Sequence, residues 1–228
     1  MLRRHYREGM HPTWPIIGTG RSAVVFDVGG GHVLRRHLDP GHDAVPEAEA
    51  MQLAALFGVP VPSVRAVSGA EITMRRADGP TLLSVLLADP GQAVEAGAIL
   101  AGLHDRLDRV RPDGLAAEVG LVHGDLHPDN VIMTGDGPVL IDWTNHRYGP
   151  RSLDVAITWI VLACFPPDGL ASLALAEVRG PLLDAFLDRV DRAAAVRALP
   201  AAAQIRYADP GTTPIEHHRI ETLCRAEA

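Results

Sequence analysis

The sequence predicts an α+β protein with two lobes, an N-terminal antiparallel β-sheet lobe with one helix and a mainly helical C-terminal lobe. Short strand-like runs broken by glycine turns fill residues 1–76, whereas amphipathic helical patterns dominate residues 77–228. The stretch 74–80, MRRADGP, marks a break from strand to loop. We therefore expect residues 74–80 to form a hinge between lobes of residues 1–76 and 77–228.

Composition and charge narrow the class of protein. The chain has 228 residues, 47% of them hydrophobic, so it can bury a core, and its net charge of −7 argues against nucleic acid, which requires a basic face. Cys164 and Cys224 form no metal or disulfide spacing, and no apolar signal core opens the chain, so we expect a cytoplasmic protein. The longest apolar run, residues 155–165, is too short to span a bilayer. We expect no membrane partner, and a monomer or weak homodimer.

The first β region contains a glycine-rich turn, Gly18-Thr19-Gly20-Arg21-Ser22-Ala23. Such a hairpin lets backbone N–H groups approach a phosphate without obstruction by side chains. Val25 falls where a kinase-type loop places an apolar residue over the base, although Ala23 replaces the third glycine of such a loop. A turn without any ligand is the commoner outcome for a G-x-G in a glycine-rich chain.

Arg35 is a candidate cation for the phosphates, because it closes the second strand-like run. All 21 basic residues are arginine, so a guanidinium must serve wherever an ammonium would otherwise be used. A helix is predicted over residues 46–58, with Glu49, Leu53 and Leu56 on one face at i, i+4 and i+7. Glu49 on the buried edge of that face could pair with Arg35. The alternative for Arg35 is a solvated charge at a strand end.

The stretch 121–143, LVHGDLHPDNVIMTGDGPVLIDW, contains the strongest chemical signal. A hairpin turned at residues 135–138 would bring Asp142 back beside Asn130, which follows Asp125 by five positions. One carboxylate could then act as a base while the other, with the amide, holds a divalent cation. Phosphoryl transfer requires this arrangement.

Each of these residues also has a purely structural explanation. Asp125 could cap a turn, and Asp142 could end a strand. His123 and His127 could bind zinc together with Asp125, but the hard oxygens of aspartate and asparagine suit Mg²⁺ better. The spacing of the two carboxylates and the amide, after a glycine-rich hairpin, favours phosphoryl transfer.

The C-terminal half is predicted to be helical. A helix over residues 91–107 has Val94, Ala98, Ala101 and Leu103 near its inner face, and its His104 is expected to pack or cap rather than to bind a ligand. Asp154 opens a long apolar helix, residues 155–165, where it could cap the helix or brace the loop of Asp125. Further helices are predicted around residues 169–178, 181–197 and 214–226, with a core stripe of Leu182, Leu183, Phe186 and Val190.

These motifs together resemble the aminoglycoside phosphotransferase family, a small-molecule kinase branch of the protein-kinase-like fold. HGDLHPDN is similar to the family's catalytic loop, and LIDW followed by Gly149 and Asp154 is similar to its metal-binding strand and the next helix. EAEAMQLAALFGVPVP, ITMRRADG and LAGLHDRL resemble its first helix, its adenine hinge and the helix before the catalytic loop. The resemblance covers residues 15–165 and is specific to the family rather than to a substrate.

The resemblance implies a nucleotide-binding lobe over residues 1–76 and a catalytic and substrate lobe over residues 77–228. It also implies a role for each matching residue. Asp125 would be the catalytic base, and Asn130 and Asp142 would hold Mg²⁺ against the phosphates of ATP. Arg35 would stand where the family has its nucleotide-binding lysine, with Glu49 as its partner. The remaining nucleotide-binding residues would be Gly18, Gly20, Ser22, Ala23 and Val25 around the phosphates, and the backbone of Arg75 and Ala77 at adenine.

The resemblance therefore implies an ATP-dependent kinase that phosphorylates a hydroxyl of a small molecule. This sequence departs from the family's pattern in two ways. It has an arginine in place of the lysine, and its C-terminal helices are short for the family. A nucleotide-binding pseudokinase acting through a partner and a protein kinase are the alternatives. Residues 143–153 are too few for the activation segment that a protein kinase needs. Acidic residues beyond Asp168 alternate with arginines, so the sequence defines no cationic acceptor pocket.

Overall fold

Five antiparallel strands form the sheet of the first part of the chain. The computed structural model describes residues 14–111, 114–116, 118–164 and 171–228, with side chains from residue 176 onward in the last range.

Contacts group these residues into two units: the described residues up to Ala48 with Ser63–Arg76, and Glu49–Pro62 with the described residues from Ala77 onward. The assignment of a nucleotide-binding lobe to residues 1–76 and a catalytic lobe to residues 77–228 stays a prediction.

The sheet has the strand order β1-β2-β3-β5-β4, with every neighbouring pair antiparallel. The turn between β2 and β3 requires glycine, because Gly29, Gly30 and Gly31 all have φ between 61° and 79°. Val33 and Leu34 are buried in β3, the central strand. The strands are β1 (Ile16–Thr19), β2 (Ala23–Gly29), β3 (His32–His37), β4 (Val64–Ser68) and β5 (Glu71–Arg75).

Helix α1 (Val45–Leu56) buries a different face from the predicted one. Glu47, Ala50 and Met51 are buried, whereas Glu49 is exposed and Leu56 is 84% exposed. The expectation that Glu49 and Leu56 mark the inner face was therefore wrong. In a helix this rich in alanine, the small side chains pack closely and the leucine at its end stays in solvent, so the largest apolar residues do not identify the buried face.

Among the described residues, six α-helices and two small sheets follow β5. Thr81, Asp191 and Thr213 accept a hydrogen bond from the backbone three residues on and so fix three helix starts. The elements after β5 are α2 (Leu82–Ala88), α3 (Ala93–Leu107), β6 (Gly120–Val122), β7 (Val131–Thr134), β8 (Gly137–Leu140), β9 (Arg147–Gly149), α4 (Arg151–Cys164), α5 (Ala171–Leu187), α6 (Arg192–Ala208) and α7 (Pro214–Ala226).

Helix α3 packs mainly on α5, and α4 packs mainly on α6 and then α7. The predicted inner face of α3 was wrong at Val94, which is 53% exposed, and right at Ala101 and Leu103. The rest of the buried face combines small residues, including Ala96 and Gly97, with larger ones such as Leu107. Leu100 and Phe186 are fully buried in the core that results.

The hairpin predicted around residues 135–138 is confirmed. Strands β7 and β8 pair antiparallel, with Thr134 opposite Gly137 and Val131 opposite Leu140. The backbone N–H of Ile141 donates to the carbonyl of Asn130 at 2.9 Å, so the pairing continues to the residue before Asp142.

The C-terminal helices have other limits than the sequence indicated. Helix α5 runs through Pro181 to Leu187, and α6 begins only at Arg192 after its cap, Asp191. Residue 165, the last of the predicted apolar run, lies outside the described residues, as does Asp168. Across the described part of the chain, no helix has the length and apolar character needed to cross a membrane.

Candidate active site

The loop after β6 is fixed by the carboxylate of Asp154, in the first turn of α4. The backbone N–H groups of His123 and Gly124 donate to its two oxygens at 3.0 and 2.9 Å. Gly124 has φ 79°, and a side chain there would clash with the carbonyl of Asn145, so glycine is required on both counts. The expectation that Asp154 braces the loop of Asp125 is confirmed.

Asp154 is itself buried and held by neighbours. Burial alone would raise the pKa of its carboxyl, but His104, then His123 and the Gly124 N–H, outweigh burial and bring the pKa below its usual range. His104 lies 3.5 Å from Asp154 and 3.0 Å from the hydroxyl of Thr158, which donates to the Leu126 carbonyl. His104 is thus a packed histidine of the brace, as expected, and not a ligand.

His123 connects the loop to the strand end that precedes Asp142. Its Nδ1 accepts from the N–H of Asp125 at 3.3 Å, so Nε2 carries the proton and donates to the carbonyl of Ile141 at 3.1 Å. Burial lowers the pKa of His123, in keeping with a neutral ring. The ring packs edge-on against Trp143. Because both nitrogens bond within the protein, His123 does not fit the zinc alternative.

Asp125 presents a carboxylate whose oxygens face the ring of His127 and the guanidinium of Arg206 without bonding closely to either. His127 Nε2 lies 3.7 Å from Oδ2, and Arg206 Nη1 lies 3.8 Å from Oδ1. Burial alone would raise the pKa of this carboxyl, but His127, then His123 and Arg206, outweigh it, so the pKa lies below its usual range. Both distances exceed a hydrogen bond. The group is therefore an anion near neutral pH, able to accept a proton from a well-placed hydroxyl.

Asn130 and Asp142 are brought together by the hairpin. The amide nitrogen of Asn130 donates to the Asp125 carbonyl at 2.9 Å, which turns the amide oxygen the other way. Asp142 has φ 60°, the only positive φ of a non-glycine residue in the described part of the chain. The hydroxyl of Thr144 donates to its Oδ1 at 2.9 Å. The strained residue, Asp142, directly follows Ile141, where the pairing with Asn130 ends. Its unusual backbone conformation sets the direction in which its carboxylate leaves the strand.

These hard oxygens fit Mg²⁺ as part of a larger shell. Among the described residues, no group of three or more histidine, cysteine, aspartate and glutamate side chains is placed to hold a metal ion. Mg²⁺ commonly binds through one or two protein oxygens and completes its shell with water and substrate phosphates. Asn130 and Asp142 would hold the ion in this way, with nucleotide phosphates supplying further oxygens.

The glycine turn has the predicted hairpin form. In it the N–H of Gly20 donates to the carbonyl of Ala23 at 2.8 Å, and Gly18 stands opposite Val25 in the pairing of β1 with β2. Gly20 is exposed, Ser22 and Val25 are half-buried, and Ala23 is buried. The tip of the turn at Gly20 therefore lies at the surface, with the Gly20 N–H bonded within the turn.

The predicted ion pair of Arg35 with Glu49 was wrong. Arg35 Nη1 donates to Oε2 of Glu47 at 2.9 Å, and both side chains are at least nine-tenths buried. Glu49 lies two residues along α1 and points to solvent. A displacement of two residues along a helix rotates a side chain by more than half a turn, so choosing the wrong face selected the wrong acid.

Arg206 of α6 was not predicted. It lies far along the chain from Asp125, and no motif surrounds it. One signal was present: Ala195, Leu199 and Ala202 precede Arg206 at helical spacing on a face that is buried. A lone arginine on an apolar helix face needs a buried partner, and here the partners include the candidate base.

Comparison with known proteins places the chain in a family. The model described as the Phosphotransferase enzyme family matches residues 75–197, more than half of the chain. The chain therefore belongs to this family, which confirms the resemblance to aminoglycoside phosphotransferases.

Solved structures with the same fold include several kinases. The aminoglycoside phosphotransferase APH(4)-Ia is 16% identical, with a TM-score of 0.64, covering 94% of this chain and 92% of that one. A choline/ethanolamine kinase family protein from Mesorhizobium loti is 17% identical, with a TM-score of 0.57, covering 96% and 89%. The streptomycin–ATP–APH(2")-IIa ternary complex is 13% identical, with a TM-score of 0.55, covering 86% and 84%. At these identities the likeness establishes the fold alone, and it confirms the predicted two-lobed, kinase-like α+β class.

One relative is a much longer protein named for tRNA modification. The probable bifunctional tRNA threonylcarbamoyladenosine biosynthesis protein of Methanocorpusculum labreanum is 32% identical over 133 residues, 57% of this chain. The match covers 22% of that protein, so this chain spans about a fifth of its length.

Proposed function

We propose that this chain transfers the γ-phosphoryl group of ATP to a hydroxyl of a small molecule, with Asp125 as the base. The observation that carries the proposal is the geometry of Asp125. Its loop is bonded through two N–H groups to Asp154, and its carboxylate faces His127 at 3.7 Å and Arg206 at 3.8 Å, too far to occupy its oxygens. Family membership and an ATP-bound relative of the same fold support the nucleotide.

The chain's own residues would position the reactants. Asp125 orients the acceptor hydroxyl and takes its proton as the new O–P bond forms and the bond from the γ-phosphorus to the β–γ bridging oxygen breaks, releasing ADP. Mg²⁺, when bound by Asn130 and Asp142, supplies neutralising charge at the phosphates. No covalent enzyme intermediate is required.

The nucleotide-binding roles are assigned to residues of the first unit and the start of the second. Backbone N–H groups from Gly18 to Ala23 would bind phosphate oxygens, with Val25 beside the base. Arg35 would contact the phosphates as a bidentate cation. Glu47 replaces Glu49 as the residue that holds Arg35, and the backbone of Arg75 and Ala77 would meet adenine.

Turnover by an Asp125→Asn variant tests the proposal. Transfer from γ-labelled ATP is measured with mono- and polyhydroxy compounds, and hydrolysis is measured with water alone. We expect loss of about 10²- to 10⁴-fold in kcat, because the amide cannot accept the proton. Asp129→Asn, an exposed aspartate of the same loop, is the matched control and should keep wild-type turnover. Equal turnover by wild type and Asp125→Asn would contradict an enzymatic role for Asp125.

A second candidate follows from the tRNA-related protein: a nucleotide-using domain that acts on, or with, a macromolecule. A protein kinase belongs to the same alternative, whereas a pseudokinase working through a partner is a separate one and would label no acceptor. The acceptor panel therefore includes peptides and tRNA beside the small alcohols. Labelling of a peptide or tRNA in preference to every small alcohol would favour this candidate.

A further inference from the structure

Arg206, a buried arginine, faces the candidate base from the C-terminal helices. It lies in the last turn of α6, with 8% of its surface exposed. Its Nη1 is 3.8 Å from Oδ1 of Asp125. The chemistry proposed for Asp125 gives this contact no role.

Two further carboxylates hold the guanidinium. Its Nη2 donates to Oε1 of Glu216 at 2.7 Å, and Nη1 lies 3.4 Å from Oδ2 of Asp209. Glu216 is buried in the first turn of α7. The hydroxyl of Thr212 lies 2.9 Å from the carbonyl of Arg206 and 2.8 Å from that of Asp209, and donates to both. Thr212 thus fixes the turn between α6 and α7 to the backbone of Arg206, whose guanidinium Asp209 and Glu216 hold in place.

The distances from the Arg206 guanidinium show that it is bonded to Glu216 and only electrostatically attracted to Asp125. At 2.7 Å, Glu216 has a full charge-assisted hydrogen bond, whereas 3.8 Å to Asp125 is within ion-pair range but beyond a hydrogen bond. The guanidinium therefore attracts the Asp125 carboxylate without taking a lone pair. An oxygen already bonded to an arginine is a poorer proton acceptor. Glu216 and Asp209 restrain the guanidinium from closing on Asp125.

We propose that Arg206 is a positioning residue for Asp125, held back by Glu216 and Asp209 so that the carboxylate stays oriented with its oxygens open to the acceptor hydroxyl. The proposal rests on the proposed role of Asp125 as the base. It has two distinct consequences. Loss of Arg206 frees the carboxylate to change its orientation, and loss of the Glu216 charge lets Arg206 bond to Asp125 directly.

Kinetics of four variants test the proposal: Arg206→Ala, Arg206→Lys, Glu216→Gln and the control Arg197→Met. The acceptor is the compound of the panel, or water, to which the wild type transfers fastest. We expect kcat to fall about 10²-fold in Arg206→Ala and in Glu216→Gln, as for misplacement of a catalytic group by about 1 Å. The KM for ATP should change by less than about threefold, because the interaction acts on the base and not on nucleotide binding.

Chemical rescue distinguishes positioning from general support of the fold. Millimolar guanidinium should restore part of the kcat of Arg206→Ala, whereas methylammonium should not, because only a planar fork can reach both Glu216 and Asp125. Arg206→Lys keeps the charge but not the fork and should remain impaired. Arg197 is exposed on the same helix, so Arg197→Met should behave as wild type.

Two results would overturn the proposal while the role of Asp125 stands. One is wild-type kcat in Arg206→Lys and Glu216→Gln when Asp125→Asn is inactive. The other is a loss that appears wholly in the KM for ATP. Crystal structures of the wild type and Arg206→Lys provide a test without turnover, in which an unchanged Asp125 side-chain orientation counts against positioning. Absence of transfer by the wild type to any acceptor or to water would instead contradict the proposed function.

Discussion

Asp154 takes no part in the proposed chemistry, yet the shape of the loop that carries Asp125 depends on it. Its two oxygens accept from two consecutive backbone N–H groups, those of His123 and Gly124. Those donors are buried, and an unpaired buried donor costs the free energy of its lost hydration. A carboxylate is the side chain suited to this place, because both of its oxygens are acceptors.

We expect Asp154→Asn to lower the free energy of unfolding by about 1–3 kcal/mol at pH 7. The amide can accept from one N–H, but its NH₂ group would face the other donor. Urea unfolding at constant temperature measures the change. Asp136→Asn, at the exposed tip of the β7–β8 hairpin, is the control, and we expect a change within about 0.5 kcal/mol. Equal stability of Asp154→Asn and wild type would mean that the brace contributes nothing.

The difference in free energy of unfolding between wild type and Asp154→Asn should depend on pH in a defined direction. Because the folded protein holds the pKa of Asp154 below its unfolded value, the ionised group contributes stability above the unfolded pKa of about 3.9, and this contribution is lost as pH falls through the folded pKa. The stability difference between wild type and Asp154→Asn should therefore be full at pH 6–7 and shrink below about pH 4. A difference that grows on acidification would contradict the assignment.

At the scale of elements, the contact between α3 and α5 depends on a glycine. A Cβ on Gly97 would lie 2.7 Å from the carbonyl oxygen of Leu182 and 2.8 Å from Cβ of Ala185. Real Cβ atoms do not approach that closely, so the helices would have to separate. Gly102 lies on the same helix and would place a Cβ in open space.

These two glycines give opposite predictions for the same substitution. Gly97→Ala should destabilise the protein by about 1–3 kcal/mol through overpacking. Gly102→Ala should stabilise it by about 0.5–1 kcal/mol, because alanine loses less backbone entropy in a helix. Thermal and urea unfolding of both variants decide the matter. A stabilising Gly97→Ala would show that α3 and α5 are not in close contact at this point.

Elements whose signal is local were predictable from the sequence. The hairpin that joins Asn130 to Asp142 follows from its turn residues and flanking apolar runs, and the brace from Asp154 follows from an acid at a helix start. The buried faces of α1 and α3 were harder to predict. Small residues such as Ala50 and Gly97 share these faces with Met51 and Leu100, so a pattern of large apolar side chains alone selected Leu56 and Val94, which are exposed.

At the scale of the whole molecule, contacts between distant segments were not predictable. The pairing of Arg35 with Glu47 depends on which face of α1 is buried, and the contact of Arg206 with Asp125 depends on how α6 and α7 fold back. Neither leaves a motif in the sequence, because any of 21 arginines could serve. The candidate catalytic residues could be proposed from the sequence because their loop and hairpin are contiguous in the chain, whereas the residues proposed to position them come from distant segments.

Binding of nucleotide and metal should stabilise the whole chain. A ligand that binds only the folded state adds about 2.7 kcal/mol at 100 times its Kd. For a chain of this size that corresponds to a rise in Tm of roughly 5–10 °C. We expect ATP with Mg²⁺ to produce this rise, and EDTA to remove most of it, because Asn130 and Asp142 are expected to hold the ion only together with phosphates.

Asp142→Asn separates the metal from the nucleotide in this measurement. Loss of one carboxylate should reduce the shift produced by ATP with Mg²⁺ toward that of ATP with EDTA. Asp136→Asn removes one negative charge from the same hairpin at its exposed tip and should keep the full shift. EDTA alone should leave the Tm of the nucleotide-free protein unchanged. A full shift in Asp142→Asn would show that the ion does not need this carboxylate, and a fall in Tm with EDTA alone would show that the chain binds a metal independently of nucleotide.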